Sequence, residues 1–431
     1  MLHLRTVPSS SDRRAARVLL GLAAASVLGC LPGPAHATDG YFLSGVGAKA
    51  KGSGGVAIAQ PQDALSIAAN PAAAAEVGER LDVGFEVFVP RRGATISGNG
   101  AGLDGSFRGN GTNPFILPEL GYVRPLSDKV AVGIAVYGNG GMNTDYRRNP
   151  FASFGATGSA GVNLMQMFIT PTLAVKMSPG ASLGISPIVV LQSFEAKGIA
   201  PFSAASADPA HFTNRGIDWA AGGGIRVGYL GKIGDRLTIG AFYQSKIWTG
   251  RFRKYAGLFA GRGGFDVPAS WGGGAALEIS DRLTVAGDVK RIEYSGIASV
   301  GTPLSPLFLG KPFGASDGPG FGWRDITVYK LGATYAASDK LTLRAGYGHS
   351  GNPVPASETL LNVLAPGVVQ DHVTLGATVV VKPGFEVTGY AMHAPRQVVK
   401  GNGSIPAPYG GGEADIHLSE TSAGLSAGFI F

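Results

Sequence analysis

The chain has 431 residues and a formal net charge of +7, with 45% hydrophobic but only 15% charged residues. Beyond residue 31, no uninterrupted apolar run approaches the roughly 20 residues that a spanning helix needs, so the sequence excludes helical membrane spans. The 68 glycines disfavour long helices, and the modest positive charge, spread along the chain, argues against a nucleic-acid partner.

The first 37 residues have the layout of a secretory signal peptide. A cluster of arginines at 13–17 precedes an apolar stretch at 18–31, and the small-residue site Ala35-His36-Ala37 follows. We predict cleavage after Ala37. The formal charge then falls from +7 to +4, because four basic residues and one acidic residue are removed.

The only cysteine of the sequence, Cys30, lies within this predicted signal, so the mature chain is expected to have no disulfide. Val27-Leu28-Gly29-Cys30 also loosely resembles a lipoprotein processing site, which would leave a lipidated Cys30. The two alternatives predict different amino termini, and we favour cleavage after Ala37 because that site fits the signal pattern better.

Residues 38–80 are glycine-rich and show no alternation of apolar and polar residues. They are predicted to form a compact plug that ends in a short helix, because Asn70 is a suitable N-cap and Pro71 suits the first helical turn. We expect this segment to act as a hatch that fills the lumen of the β-barrel predicted below for residues 81–431, since an open lumen of about fourteen strands would leak.

From residue 81 to the end of the chain, segments of about 9–13 residues carry an apolar side chain at every second position. In Leu283–Lys290, for example, Leu283 and Val285 share one face while Thr284 and Asp288 share the other. This period and length predict an all-β fold, a transmembrane antiparallel barrel of about 14 strands over 81–431. The predicted strands are 81–89, 115–124, 130–138, 165–177, 181–194, 218–230, 237–249, 271–279, 283–294, 323–336, 341–350, 372–381, 385–394 and 420–431.

The connections between these segments also alternate, because tight turns such as 178–180 and 382–384 are interleaved with loops of roughly 20–28 residues. Short periplasmic turns and long outer loops are typical of outer-membrane barrels. The last residue, Phe431, ends a strand as an aromatic, which resembles the signal read by the outer-membrane assembly machinery. Aromatic residues near strand ends would suit interfacial girdles, although each is equally compatible with ordinary packing. They are Tyr122, Tyr137, Tyr229, Trp248, Trp271, Tyr294 and Trp323.

The glycine-rich segment at 39–72 with its Asn-Pro-Ala motif, the strand count and the terminal Phe431 resemble the FadL/TodX family of outer-membrane transporters of hydrophobic compounds. The resemblance implies a monomeric fourteen-strand barrel in outer-membrane lipid that takes up hydrophobic compounds passively. Long-chain fatty acids are the favoured substrate, and aromatic or aliphatic hydrocarbons are the alternative. It further implies that ligand is captured at outer loops, passes to an apolar pocket in the lumen and leaves sideways. The exit would lie at an inward kink of the third strand, which the motif Asn70, Pro71 and Ala72 contacts.

The third strand is expected at 130–138, and a kink would fall in Gly138-Asn139-Gly140-Gly141, where glycine permits unusual backbone conformations. The same four residues are equally compatible with the opening of a loop. Two outer loops, at about 198–217 and 250–270, are expected to supply an apolar capture site, although both are short for the groove known in the family. Its candidate residues are Phe202, Phe212, Leu258 and Phe259.

A fatty-acid carboxylate in an apolar lumen would need a cationic or hydrogen-bonding partner, because an unpaired buried charge is costly. Alternation places four candidate cations on the inward face, and these are Arg226, Lys290, Lys330 and Arg344. The alternative is that they form structural ion pairs with inward acids such as Glu119 and Asp288. A hydrocarbon substrate would not need the cations at all.

Other functions are weakly indicated. Gly314–Gly318 matches a nucleophile elbow around Ser316, but it lies in a Gly/Pro-rich loop, so we predict no lipid hydrolase or other enzyme. The histidines lack metal-ligand spacing, and we predict neither a metal nor a cofactor. A general diffusion porin would begin with a strand almost at once, whereas this chain first has about forty residues of apolar segment.

Overall fold

Alternating side chains produce a closed barrel in the computed structural model, which describes residues 39–431. The predicted signal peptide (1–37) and the alternative lipidation of Cys30 lie outside the described residues. Fourteen antiparallel strands each pair with their neighbours in the chain, and the first (Arg80–Ser97) and last (Glu413–Ile430) close the cylinder along their full lengths. This confirms the predicted fourteen-strand barrel.

Two further strands, β2 and β9, are short and pair with β1 and β7 beside the barrel wall. The third strand of the barrel is therefore β4. The strands are β1 Arg80–Ser97, β2 Gly105–Arg108, β3 Phe115–Pro125, β4 Val130–Asn143, β5 Gly161–Ser178, β6 Ala181–Lys197, β7 Asp218–Ile233, β8 Leu237–Gln244, β9 Trp248–Thr249, β10 Ser270–Ser280, β11 Leu283–Ile292, β12 Ile326–Ser338, β13 Leu341–Ser350, β14 Asp371–Lys382, β15 Phe385–Val399 and β16 Glu413–Ile430.

Several strands extend beyond their predicted ends on the side of the long loops. β1 continues to Ser97 rather than residue 89, and β16 begins at Glu413 rather than residue 420. Outward residues in these extensions, such as Arg91 and His417, are polar. The apolar alternation therefore stops at the edge of the lipid-facing band, while the hydrogen-bond ladder continues above it.

The connections sort by length as predicted. Six turns of two to four residues lie at one end of the barrel, together with the start of β1 and the end of β16. The long loops lie at the other end and range from 13 residues (400–412) to 33 residues (293–325). Among residues 39–431, no helix is both long and apolar enough to span a membrane.

All helices of the described chain are short. Helical turns occupy Ala48–Gly52, Ala260–Gly263, Ala298–Gly301 and Thr359–Asn362. The 3₁₀ helices are Ala64–Ala68, Pro71–Ala75, Ala152–Phe154, Ala200–Ala205, Pro209–His211, Arg253–Tyr255, Tyr294–Gly296, Ser305–Leu309, Ala356–Glu358 and Ala407–Tyr409.

Residues 39–79, which we call the amino-terminal segment, contact inward-facing groups on several sides of the cylinder. Gly54 N donates to Thr374 Oγ1 on β14 at 2.8 Å, and Ala57 N donates to Asp288 Oδ2 on β11 at 2.8 Å. Ala64 N donates to the Asp82 carboxylate on β1 at 2.9 Å. These partners are spread around the barrel, so the segment crosses its interior.

The predicted aromatic girdle is only partly correct. Trp248 and Trp271 are exposed on the outer face, as a girdle requires. Tyr137, Tyr294 and Trp323 are instead fully buried, and Trp323 lies before β12 rather than in it. Their rings pack inside because they belong to inward positions or to loops that fold over the lumen.

The assignment of the outer face of β12 to the bilayer can be tested by introducing a charged residue there. Leu331 is exposed at the middle of β12, so we expect Leu331→Arg to lower the free energy of unfolding in lipid by about 2–4 kcal/mol. The matched control is Leu126→Arg, an equally exposed leucine at a turn, where the expected cost is about 0–1 kcal/mol. Denaturant titration of protein refolded into vesicles measures both values. Equal costs at the two positions would contradict the assignment of β12 to the bilayer.

Candidate functional site

Charged groups of the barrel wall hold the amino-terminal segment in place. The Lys51 ammonium lies 2.7 Å from Glu86 on β1 and 3.1 Å from Glu119 on β3, and all three side chains are buried. Burial alone would lower the pKa of Lys51, but the carboxylates of Glu119 and Glu86 outweigh it and raise that pKa well above its usual value. Lys51 is therefore charged at all physiological pH values.

A second ion-pair cluster lies near the end of the barrel that carries the short turns. Lys49 of the segment contacts Glu386 on β15 at 2.6 Å, and Arg80 at the start of β1 contacts the same carboxylate at 2.6 Å. Arg80 also contacts Asp82 at 2.7 Å. The cluster thus joins the segment to both strands that flank β16.

The four candidate carboxylate-binding cations face the interior, but each already contacts the amino-terminal segment. Lys290 and Lys330 lie 3.0 and 3.5 Å from the Asp39 carboxylate, and Lys330 also donates to Ser44 O. Arg226 donates to Ala68 O, and Arg344 donates to Gln62 Oε1 at 2.8 Å. Ligand binding by these residues therefore remains a prediction, and it would require the segment to release them.

None of these four cations forms an ion pair with Glu119 or Asp288, the acids named as possible partners. Glu119 accepts from Gly47 N and Lys51, and Asp288 accepts from Ala57 N and Ile58 N. The four cations and these two acids therefore all bind the amino-terminal segment.

The motif Asn70-Pro71-Ala72 packs against β6 and β7. Asn70 Oδ1 accepts from Ala72 N at 3.1 Å, and Asn70 Nδ2 donates to Tyr229 O on β7 at 2.8 Å. A Cβ at Gly228 would lie 2.0 Å from Asn70 Oδ1, so only glycine allows this approach. The hydrogen bonds of the motif are thus made to β7 and within the segment, and its expected contact with the third-strand kink stays a prediction.

The third barrel strand, β4, is irregular at the predicted position. Its register with β5 shifts between Gly138 and Gly140, and the strand continues to Asn143, so 138–141 do not open a loop. Pairing with β3 ends at Glu119 and Tyr137. Beyond Tyr137 the ladder between β3 and β4 is missing, which leaves a gap in the hydrogen bonding of the wall.

The start of the amino-terminal segment takes the place of β3 at this gap. Leu43 N donates to Asn139 O and Gly141 N donates to Tyr41 O, both at 3.0 Å. Gly140 has a φ of 155°, and a Cβ there would lie 1.7 Å from Tyr41 O. Residues 41–43 therefore contact the bulge directly.

An apolar pocket lies beneath the outer loops, and all four candidate capture residues line it. Its lining contains one side chain with a polar group, Ser299. The other lining side chains come from five loops and adjoining strands, namely Phe151, Val162, Phe194, Ile199, Phe202, Phe212, Leu258, Phe259, Phe313, Pro319, Phe321, Leu360, Leu361 and Leu364. The free volume is about 40 Å³, below the ~150 Å³ of an apolar cavity that binds benzene. Ligand entry therefore requires these side chains to move.

A chain of aromatic contacts connects this pocket with the bulge of β4. The Phe259 and Phe265 rings are 4.9 Å apart, Phe265 and Tyr41 are 6.2 Å apart, and Tyr41 and Phe42 are 5.1 Å apart. Phe42 in turn forms a β-bridge with Gly140. Tyr41, Phe42 and Phe265 were not among the predicted site residues. For Tyr41 and Phe42, the available indication was an aromatic pair shortly after the predicted cleavage site.

The remaining features of the sequence form no second site. Ser316 lies in an exposed turn without a strand-to-helix elbow. Within residues 39–431, no group of three His, Cys, Asp or Glu side chains is arranged to hold a metal ion.

The fold is that of a closed β-barrel, and comparison with known proteins gives its family. Residues 40–401 match the family described as outer membrane protein transport protein (OMPP1/FadL/TodX). The chain belongs to this family and is a protein of the outer membrane. A putative outer membrane protein of Neisseria meningitidis serogroup B is 23% identical over 381 residues, 77% of this chain and 80% of that protein.

Solved structures share the fold at low sequence identity. The toluene transporter TodX of Pseudomonas putida superposes with a TM-score of 0.67 at 19% identity, over 90% of this chain and 99% of that one. A FadL homologue of Pseudomonas aeruginosa superposes with a TM-score of 0.67 at 18% identity, over 91% of this chain and 100% of that one. The toluene transporter TbuX of Ralstonia pickettii superposes with a TM-score of 0.62 at 17% identity, over 90% of this chain and 99% of that one.

The attachment of the segment can be tested at Lys51. Lys51→Met leaves Glu86 and Glu119 buried without their cation, which is expected to cost about 3–5 kcal/mol. We expect amide hydrogen exchange to accelerate in residues 45–57 while the strands stay protected. The control Lys246→Met removes a partly exposed pair with Asp266 (2.9 Å) and is expected to cost less than about 1 kcal/mol. Unchanged exchange in residues 45–57 would contradict the anchoring role of Lys51.

Proposed function

We propose that this protein is a passive outer-membrane channel for hydrophobic compounds. Ligand enters the apolar pocket under the outer loops, moves along the aromatic side chains from Phe259 to Phe42 and leaves sideways between β3 and β4. The aromatic chain between the pocket and the gap in the ladder is the observation that carries this proposal. Each step keeps an apolar molecule against apolar surface and away from water.

The amino-terminal segment acts as a hatch in this proposal. Its hydrogen bonds and ion pairs occupy the polar groups of the inner wall, so few are left to solvate an ion or a sugar in transit. An isolated charge that loses its water pays a large desolvation cost. The hatch therefore excludes hydrophilic solutes, which distinguishes the protein from a general diffusion porin.

The substrates that fit the pocket best are uncharged, such as aromatic or aliphatic hydrocarbons. The pocket lining contains no cation, and toluene transporters are among the proteins that share the fold. Long-chain fatty acids are the second candidate. Lys290 and Lys330, which now contact Asp39, would provide a counter-charge for a carboxylate if Asp39 moved away.

We expect the protein to act as a monomer without cofactor or catalytic activity. The description of the family as transport proteins supports this expectation. Hydrolysis of phospholipid by the pure protein that is lost on Ser316→Ala would contradict it. Phe431 is expected to serve the outer-membrane assembly machinery. Steady single-channel currents of the size that an open porin gives would contradict the hatch.

The pocket can be tested by uptake. The double variant Leu258→Gln, Leu361→Gln makes its lining polar at nearly constant size, and we expect uptake of radiolabelled toluene by expressing cells to fall several-fold. The control Leu309→Gln changes an exposed leucine outside the lining and should leave uptake unchanged. Parallel assays with radiolabelled palmitate separate the two substrate classes. Toluene uptake equal in all variants would contradict capture at this pocket.

The hatch can be tested by deletion. Removal of residues 39–72 should increase leakage of small hydrophilic solutes, because the inner wall then faces water, and should impair uptake of hydrophobic compounds. Liposome swelling with sugars measures the first effect and uptake of toluene the second. If both permeabilities matched those of the intact protein, the segment would not be a hatch.

A further inference from the structure

A group of cationic side chains lies on the outer face of the wall formed by β15, β16, β1 and β2. On β1, Arg91 is exposed and opposite Ser419 of β16. Two residues further, Gly93 pairs with His417 of β16 on one side and with Arg108 of β2 on the other. The three strands thus place Arg91, His417 and Arg108 on one small area of the outward face.

Arg396 joins the same area through a bulge in β15. The register between β15 and β16 shifts between Ala394 and Gln397, and Arg396 is exposed there. The Arg396 guanidinium is close enough to His417 to interact with it electrostatically. We call Arg91, Arg108, Arg396 and His417 the rim cluster.

Gly93 leaves space at the centre of the rim cluster. A Cβ added at Gly93 would lie 3.0 Å from Cε1 and 3.1 Å from Nε2 of His417. The imidazole therefore leans over Gly93 toward the strand that carries Arg108. A larger residue at position 93 would displace the ring and separate the members of the cluster.

The rim cluster lies at the outer edge of the lipid-facing band. On β1, the outward residues from Leu81 to Val89 are apolar, and Phe85 and Val87 are exposed to lipid. Ten residues separate Leu81 from Arg91. At about 3.3 Å per residue and a strand tilt of about 40°, this corresponds to roughly 25 Å along the membrane normal, the height of the apolar band.

The side of the membrane follows from the loops. Arg91 and His417 lie toward the long-loop end of the barrel, away from the short turns and the start of β1. Long loops face the cell exterior in outer-membrane barrels. The cluster is therefore level with the headgroups of the outer leaflet.

The arginines of the rim cluster are not paired within the described chain. Arg91, Arg108 and Arg396 form no ion pair with residues 39–431, whereas Lys197, Lys246 and Arg291 elsewhere near the outer ends of strands pair with Asp145, Asp266 and Asp325. The acids on the same face, Glu413 and Asp415, accept hydrogen bonds from the backbone of the loop 400–404. Three unpaired, exposed guanidinium groups at a headgroup level are therefore available to bind an anion from outside the protein.

We propose that the rim cluster binds the phosphate groups of a phosphorylated glycolipid of the outer leaflet. Guanidinium groups bind phosphate oxygens through paired, charge-assisted hydrogen bonds, and the His417 ring adds a further donor. The acyl chains of such a lipid would lie below the cluster, against the exposed side chains of Phe85, Val87 and Leu425. The occupant is thus a membrane lipid, whose phosphates and chains are both recognised, rather than free phosphate.

The test uses full-length mature protein in detergent and native mass spectrometry, with bisphosphorylated lipid A as the probe. The variant Arg91→Gln, Arg108→Gln, Arg396→Gln is compared with the control Arg251→Gln, Arg253→Gln, Arg262→Gln, which removes three exposed charges from an outer loop. We expect the first variant to raise the Kd for bisphosphorylated lipid A at least about tenfold. The control should change this Kd less than about twofold.

A comparison on the lipid side keeps the test valid if the variant barrel fails to fold. Wild-type protein should bind dephosphorylated lipid A, with the same acyl chains, at least about tenfold more weakly than the bisphosphorylated form. Inorganic phosphate at millimolar concentration should not displace the lipid. Equal binding of the two lipids, wild-type affinity in the first variant, or displacement by inorganic phosphate alone would each overturn the proposal.

Discussion

The arrangement of this barrel depends on the burial of charged side chains between its inner wall and its own amino-terminal segment. Lys51 lies between Glu86 and Glu119, and Asp39 lies between Lys290 and Lys330, with all of these side chains largely removed from water. A buried charge without its partner is costly, so these ion pairs hold the segment in its place against the wall. Many polar groups of the inner wall thus bind a segment of the protein itself.

This constraint separates two environments within one barrel. Polar contacts are concentrated where the segment meets the wall, whereas the aromatic side chains from Phe259 to Phe42 form a contiguous apolar region between the outer loops and the bulge of β4. Tyr41 and Phe42 belong to both, because their backbone pairs with Gly140 and Gly141 where the ladder to β3 is missing. A small shift of residues 41–43 would therefore alter both the apolar region and the wall gap.

The sequence predicted what depends on local periodicity and missed what depends on distant contacts. Lipid on one side of each strand imposes an alternation that can be read residue by residue, so the fourteen strands were predictable, although the polar extensions of β1 and β16 were not. Phe202, Phe212, Leu258 and Phe259 were recognised as large apolar residues in polar loops, and the structure brings them to one pocket. The partners of Arg226 and Lys330 are backbone oxygens of the segment, and no sequence pattern identifies these. The contact of residues 41–43 with β4 was missed for the same reason.

The most direct measurement of the central claim is the reactivity of a cysteine placed inside the barrel. In a Cys30→Ser background, Ser53→Cys puts a thiol on the buried amino-terminal segment, and Ser357→Cys puts one on an exposed loop. If the segment and the wall exclude water together, a membrane-impermeant maleimide will label Cys at 357 within minutes but label Cys at 53 only after denaturation. Rapid labelling of both positions in the folded protein would show a water-filled lumen and contradict the account.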